Sequence, residues 1–198
     1  MWKSLQIGLI AGSAVLLFGS VTHAATIDYI FTGTCAASSC SLNGTDFTSF
    51  TVTEVGSTLS VSGPSGGEYT NATTGTFSSG ALSANLTGTN EVLENTASPG
   101  YMGFLQTAPG FADETMTNTV FETYNLTTPL GLTAGGLSVA NNTYTTSGGN
   151  LVFGDITSLN FEATVTPLPA ALPLFAGGLG LMALIANRRK RKTTAITA

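Results

Sequence analysis

Short runs in which every second residue is apolar recur along the middle of this chain, and they limit its fold more than any other feature. Ile27-Asp28-Tyr29-Ile30-Phe31, Phe50-Thr51-Val52-Thr53, Ser57-Thr58-Leu59-Ser60-Val61-Ser62 and Leu159-Asn160-Phe161-Glu162-Ala163-Thr164-Val165 gather their apolar side chains on one face only when extended, because successive side chains of a strand point to opposite sides. Helical spacing is nearly absent between Ala25 and Val165. β-branched and aromatic residues fill the runs, as half-buried strands require.

Breaks rich in Gly, Pro and Asn separate such runs: Gly63-Pro64-Ser65-Gly66-Gly67, Ser98-Pro99-Gly100 and Ser147-Gly148-Gly149-Asn150. Many short strands with this punctuation predict an all-β fold, an antiparallel β-sandwich or barrel-like domain over 25–165. Abundant Ser and Thr with charge of one sign oppose collapse, so disorder is the competing expectation, above all over 63–80 and 90–110. The spaced aromatics Tyr29, Phe31, Phe47, Phe50, Phe104, Phe111, Phe121, Tyr124, Phe153 and Phe161 argue for a packed core instead.

Charge narrows the chemistry of that domain. The 198 residues carry six Lys and Arg, eleven Asp and Glu and a net charge of -5. All the bases lie near the ends, Lys3 and Arg188 to Lys192, whereas every acid lies between Asp28 and Glu162. A domain without Lys or Arg cannot neutralise phosphates, which excludes nucleic acid as a partner. It will not adhere electrostatically to anionic lipid either. The single histidine, His23, also lies outside it. A Ser-His-Asp triad, a Cys-His pair, a Schiff-base lysine and a His-rich zinc site are therefore all beyond its means. The expectation is a non-enzymatic domain with no cofactor and no metal.

Cys35 and Cys40, the only cysteines, read as a local disulfide in an exported chain. A ring so small stabilises by only about 2 kcal/mol on the loop-closure model and would pin the turn after the first strand. Reduced thiols are the alternative; the spacing is not that of a redox or zinc motif. Among the carboxylates, Asp113-Glu114 and Glu91 with Glu94 are the densest groupings. Each reads as solvated surface, with a weak Ca²⁺ site or the acid pair of a glycan hydrolase as alternatives. Asn43, Asn71, Asn85, Asn125 and Asn141 each begin an Asn-x-Thr acceptor pattern for glycosylation, which an Asn- and Thr-rich chain also produces by chance.

The two ends predict a route. Lys3, the mostly apolar stretch Ile7 to Val21 and Thr22-His23-Ala24 make the three-part layout of a signal peptide over 1–24, cleaved after Ala24. About fifteen apolar residues interrupted by glycines fall short of the roughly 20 that span a bilayer. At the other end, Leu168 to Ala186 is an uncharged segment. As a helix it would reach roughly 28 Å, enough to cross once. Arg188, Arg189, Lys190, Arg191 and Lys192 follow as a basic stop that stays cytoplasmic, leaving the domain outside. Pro169 and Pro173 disturb the outer end of that helix, where an extended backbone suits a processing enzyme. A plain single-span anchor is the simpler reading.

Over 166–198 the chain resembles the PEP-CTERM class of sorting signals, in the variant with a Val-Pro-Leu-Pro-Ala core. The residues that carry the likeness are Pro167, Leu168, Pro169 and Ala170, the apolar segment that follows and the Arg/Lys stop; Thr166 stands where the variant usually has Val. The resemblance implies an exosortase as partner, a transient inner-membrane intermediate held by one C-terminal transmembrane helix, and release to the cell surface or extracellular matrix of a Gram-negative bacterium that makes exopolysaccharide. Phe31-Thr32-Gly33-Thr34-Cys35, with Cys40, is similar to the start of some exported domains that carry this signal. The function expected on this basis is that of an extracellular envelope or biofilm-matrix protein. The alternative is a carbohydrate- or calcium-dependent adhesion module.

Overall fold

The computed structural model describes residues 24–108, 112–139 and 142–166, with Met182. Within them the chain forms fifteen strands and one short 3₁₀ helix. The first strands are β1 (Thr26–Cys35), β2 (Cys40–Leu42), β3 (Thr45–Phe47), β4 (Ser49–Ser57), β5 (Val61–Ser65), β6 (Glu68–Ser79), β7 (Leu82–Asn85) and β8 (Thr89–Asn95). Then come β9 (Tyr101–Ala108), β10 (Ala112–Thr117), the helix η1 (Thr119–Thr123), β11 (Leu130–Ala134), β12 (Gly136–Val139), β13 (Asn142–Thr146), β14 (Gly149–Phe153) and β15 (Ile156–Thr166).

Eleven strands make one antiparallel sheet with the path β11-β15-β1-β4-β6-β8-β9-β10-β12, β5 and β7 also pairing with β6. It curls into a nearly closed barrel, because β11 and β12 are consecutive in sequence yet lie at opposite ends of the path. Residues 130–139 pair first with β15 and then with β10, and β12 packs back against β15. Gly135 makes that crossover: a Cβ there would stand 2.7 Å from the Thr117 carbonyl oxygen, inside contact distance. The remaining strands form a small sheet, β13-β14-β2-β3, whose β2–β3 hairpin turns on Asn43-Gly44, a residue pair suited to a two-residue loop.

Alternation sorts the side chains as the period of two requires. On β1, Ile27, Tyr29, Phe31 and Cys35 are buried, and on β15, Ile156, Leu159, Phe161 and Ala163. Nine of the ten spaced aromatics are buried; the tenth, Phe111, lies outside the described residues. The small sheet packs its apolar face on this core. Phe153 of β14 stands 4.7 Å from Phe50, 6.0 Å from Phe104 and 5.7 Å from Tyr144 between ring centroids.

Two expectations need correction. The stretches 63–80 and 90–110 contain β6, the longest strand, and all but the start of β8 and β9 among their described residues. Their cohesion comes from pairing on both sides, β6 with β4 and β8, and β9 with β8 and β10. The run Ser57 to Ser62 is not one strand. Ser57 ends β4, and its carbonyl accepts from both the backbone and the hydroxyl of Ser60, so Thr58 to Ser60 turn and leave Leu59 exposed. A local turn satisfied by two hydrogen bonds overrides a pattern that could otherwise continue the strand.

Candidate functional site

The Cys35–Cys40 disulfide is formed, with Cα atoms 6.1 Å apart. Cys35 is the last residue of β1 in the large sheet and Cys40 the first of β2 in the small one. The bond therefore fastens one sheet to the other, beyond pinning a turn.

The carboxylate groupings dense in sequence are divided in space. Glu91 and Glu94 are three residues apart on β8, and Asp113 and Glu114 are adjacent on β10; odd separations send side chains to opposite faces of a strand. Glu94 and Glu114 are fully buried, whereas Glu91 and Asp113 are half-buried on the other face. Neither couple can clasp one glycosidic bond or one Ca²⁺ ion between its members. Among the described residues no three His, Cys, Asp or Glu converge as ligands of a metal.

The barrel instead collects three glutamates from three strands, Glu54 on β4, Glu94 on β8 and Glu114 on β10, all with no solvent exposure. Glu54 continues the inward series Phe50, Val52, and Glu94 continues Asn90, Val92. That alternation was the available signal, and the residue type concealed it. Thr73 donates to Glu54 Oε2 at 2.7 Å, while Oε1 takes the space beside Gly75, where a Cβ would stand 2.4 Å away. Asn142 of β13 reaches Glu114 Oε1 at 3.4 Å and also donates to the Asp113 carbonyl. Glu54 Oε1, Glu114 Oε2 and both oxygens of Glu94 have no hydrogen-bond partner among the described residues.

Burial without counter-charge favours the protonated acid. It pushes Glu54 up to about 7 against the opposing Thr73 hydrogen bond. Burial raises Glu94 to about 8. Glu114 also rises to about 8, by burial first, with the Asn142 hydrogen bond opposing and the Asp113 charge adding. The other buried polar side chains are satisfied. Tyr29 donates to the Leu126 carbonyl at 2.6 Å and accepts from Asn71 at 2.7 Å. Gln106 accepts from the Thr145 backbone at 2.8 Å and hydroxyl at 2.9 Å, stitching β9 to the small sheet.

On the outside, a groove of about 370 Å³ runs between β6 and β7 and the β13–β14 turn. Thr76, Ser78, Ser83, Asn85 and Ser147 rim it with exposed hydroxyls and an amide, over buried Phe77 and Ala84. The rim is fixed from both sides: Ser147 Oγ accepts from Asn85 N at 3.0 Å, and Ser147 N donates to the Asn85 carbonyl at 2.8 Å. An uncharged lining of this kind can exchange hydrogen bonds with a neutral polyol and offers no positive charge to an anion. No spacing in the sequence pointed to it, since its three segments meet only through the sheet.

Of the glycosylation patterns, Asn43, Asn85 and Asn125 are exposed, Asn71 is buried and hydrogen-bonded inside the barrel, and Asn141 lies outside the described residues. The folded domain thus withholds Asn71 from any modifying enzyme. Thr166, first residue of the sorting motif, ends β15 and is exposed. Residues 1–23, Pro167, Leu168, Pro169, Ala170 and the basic stop Arg188 to Lys192 lie outside the described residues. Among the described residues no helix is long and apolar enough to cross a membrane. No family model, curated protein or solved structure matches the chain.

Proposed function

We propose that this is a non-enzymatic extracellular envelope or biofilm-matrix protein, exported by its N-terminal signal, handed to an exosortase at Thr166-Pro167-Leu168-Pro169-Ala170, and released to the surface or matrix. One observation carries the reading. Thr26, which opens β1, is paired with Thr166, which closes β15, so the chain enters and leaves the domain at one point. A domain with both connections at one end can be held to a membrane by a single stem and cut free there without disturbing a strand. The cut would fall just past Thr166, an exposed strand end.

Mass spectrometry of the mature protein from its host tests this. Loss of the first 24 residues and of those beyond about Pro169 is expected. A chain that still ends at Ala198 defeats the sorting step.

The groove at Thr76, Ser83 and Asn85 favours a second reading, an adhesion module for a neutral carbohydrate such as a segment of exopolysaccharide. Calorimetry against a panel of neutral and acidic glycans distinguishes the two. Binding of a neutral glycan that is lost in Asn85→Ala supports adhesion, and absence of heat with every glycan rejects it.

A further inference from the structure

We propose that Glu54, Glu94 and Glu114 make closure of this barrel proton-dependent: the small sheet and η1 seat firmly while the three carboxyls are protonated and loosen as they ionise. The geometry carries this first. Four carboxylate oxygens are sealed from solvent with no hydrogen-bond partner among the described residues, and 25–165 contains no Lys, Arg or His that could move in to pair with them. A charged carboxylate so placed is far costlier than a neutral one, and no internal counter-charge can relieve it. Water or a cation from outside would stabilise the charge, and admitting either requires an opening.

The neighbours of each acid bring no positive charge, and only Glu54 and Glu114 gain one hydrogen bond each, from Thr73 and Asn142. Glu54 faces Tyr29 across the β1–β4 pairing and Thr73 on β6. Glu94 is paired with Tyr69 of β6 and Met102 of β9, and the charge it acquires would be felt by Tyr124, just after η1. Glu114 has Asp113 beside it and Tyr144 and Asn142 on β13. Every titratable group here is a tyrosine or another acid. Glu122 of η1 is engaged at the surface by the Ser98 hydroxyl. Burial raises Tyr29 to about 12 and Tyr144 well above its ordinary value, so neither supplies a compensating charge change below strongly alkaline pH.

The places that give are set by position. Glu114 lies on the β10–β13 contact, where Asn142 ties the small sheet to the barrel. Glu94 lies on β8, against which η1 packs. The sign follows from linkage: acids raised in the folded state hold protons that the unfolded chain has already released, so stability falls as pH climbs from the ordinary carboxylate range through about 7 and 8.

Two measurements on the full chain in detergent micelles test the idea. Infrared spectroscopy of the unaltered protein should show protonated carboxyl absorption persisting at about pH 6 and vanishing above about pH 9. Its absence at about pH 6 overturns the proposal without any variant. The thermal midpoint should fall by roughly 10 °C or more between about pH 5 and about pH 9. That fall should shrink by at least about half when Glu54→Gln, Glu94→Gln and Glu114→Gln are combined, or when Glu94→Met and Glu114→Met replace them should the amides not fold. A midpoint indifferent to pH, or an undiminished fall in the folded variants, sinks it.

Discussion

Around Phe153 five rings close in, Phe47, Phe50, Phe77, Phe104 and Tyr144, with centroids between 4.7 and 6.3 Å. Around Glu94, in the same barrel, two carboxylate oxygens have no hydrogen-bond partner among the described residues. Both residues occupy inward positions of strands, and both are fully buried. The aromatic region gains from every contact, since burial of apolar area and tilted ring pairing act together. The acidic region withholds part of that gain, and how much depends on protons. One side of the interior is therefore fixed in stability and the other adjustable.

The largest expected effect breaks the aromatic side. Phe153→Ala removes the ring shared by barrel and small sheet and should cost about 3–5 kcal/mol in urea unfolding; a loss below about 1 kcal/mol would mean that the two sheets do not share a core. The acidic side should respond in the opposite sense. Glu94→Met replaces an unpaired acid with an apolar chain of similar length, and is expected to stabilise by about 1–4 kcal/mol at about pH 9, with a smaller gain at about pH 5 where the acid is already neutral. Denaturation curves at the two pH values decide it, and a gain that shrinks with rising pH contradicts the account. Reducing the Cys35–Cys40 bond should lower stability by about 2 kcal/mol, because the closed loop is short; unfolding with and without reductant reads this directly. The smallest effect sharpens the contrast between satisfied and unsatisfied polar groups. Tyr29→Phe strips a donor from the Leu126 carbonyl and an acceptor from Asn71 and should cost about 1 kcal/mol at every pH, whereas a cost that varied with pH would tie Tyr29 to the glutamates.

Much of the fold was legible from the chain. The strands around Tyr29, Val52 and Phe161 follow from alternation alone, and the disulfide from two cysteines five residues apart. The run at Ser57 to Ser62 was not, because a turn closed by Ser57 and Ser60 competes locally with strand extension and wins. Glu54 lay at the next inward step of a readable strand and Glu94 on a stretch read as open to disorder, yet a carboxylate on an apolar face is so costly that alternation gives no warrant to expect either. The groove was illegible for another reason: Thr76, Asn85 and Ser147 are polar residues in ordinary surface patterns until pairing brings them together.

The amino-acid sequence by itself determined that the middle of the chain is largely extended and free of bases, because side-chain period and charge are local properties that no partner can change. Tertiary structure alone decided that residues 130–139 close the barrel, that the disulfide joins two sheets and that three acids face inward. Each of these depends on which distant strand lies alongside, and register between strands far apart in sequence is set by the packed whole.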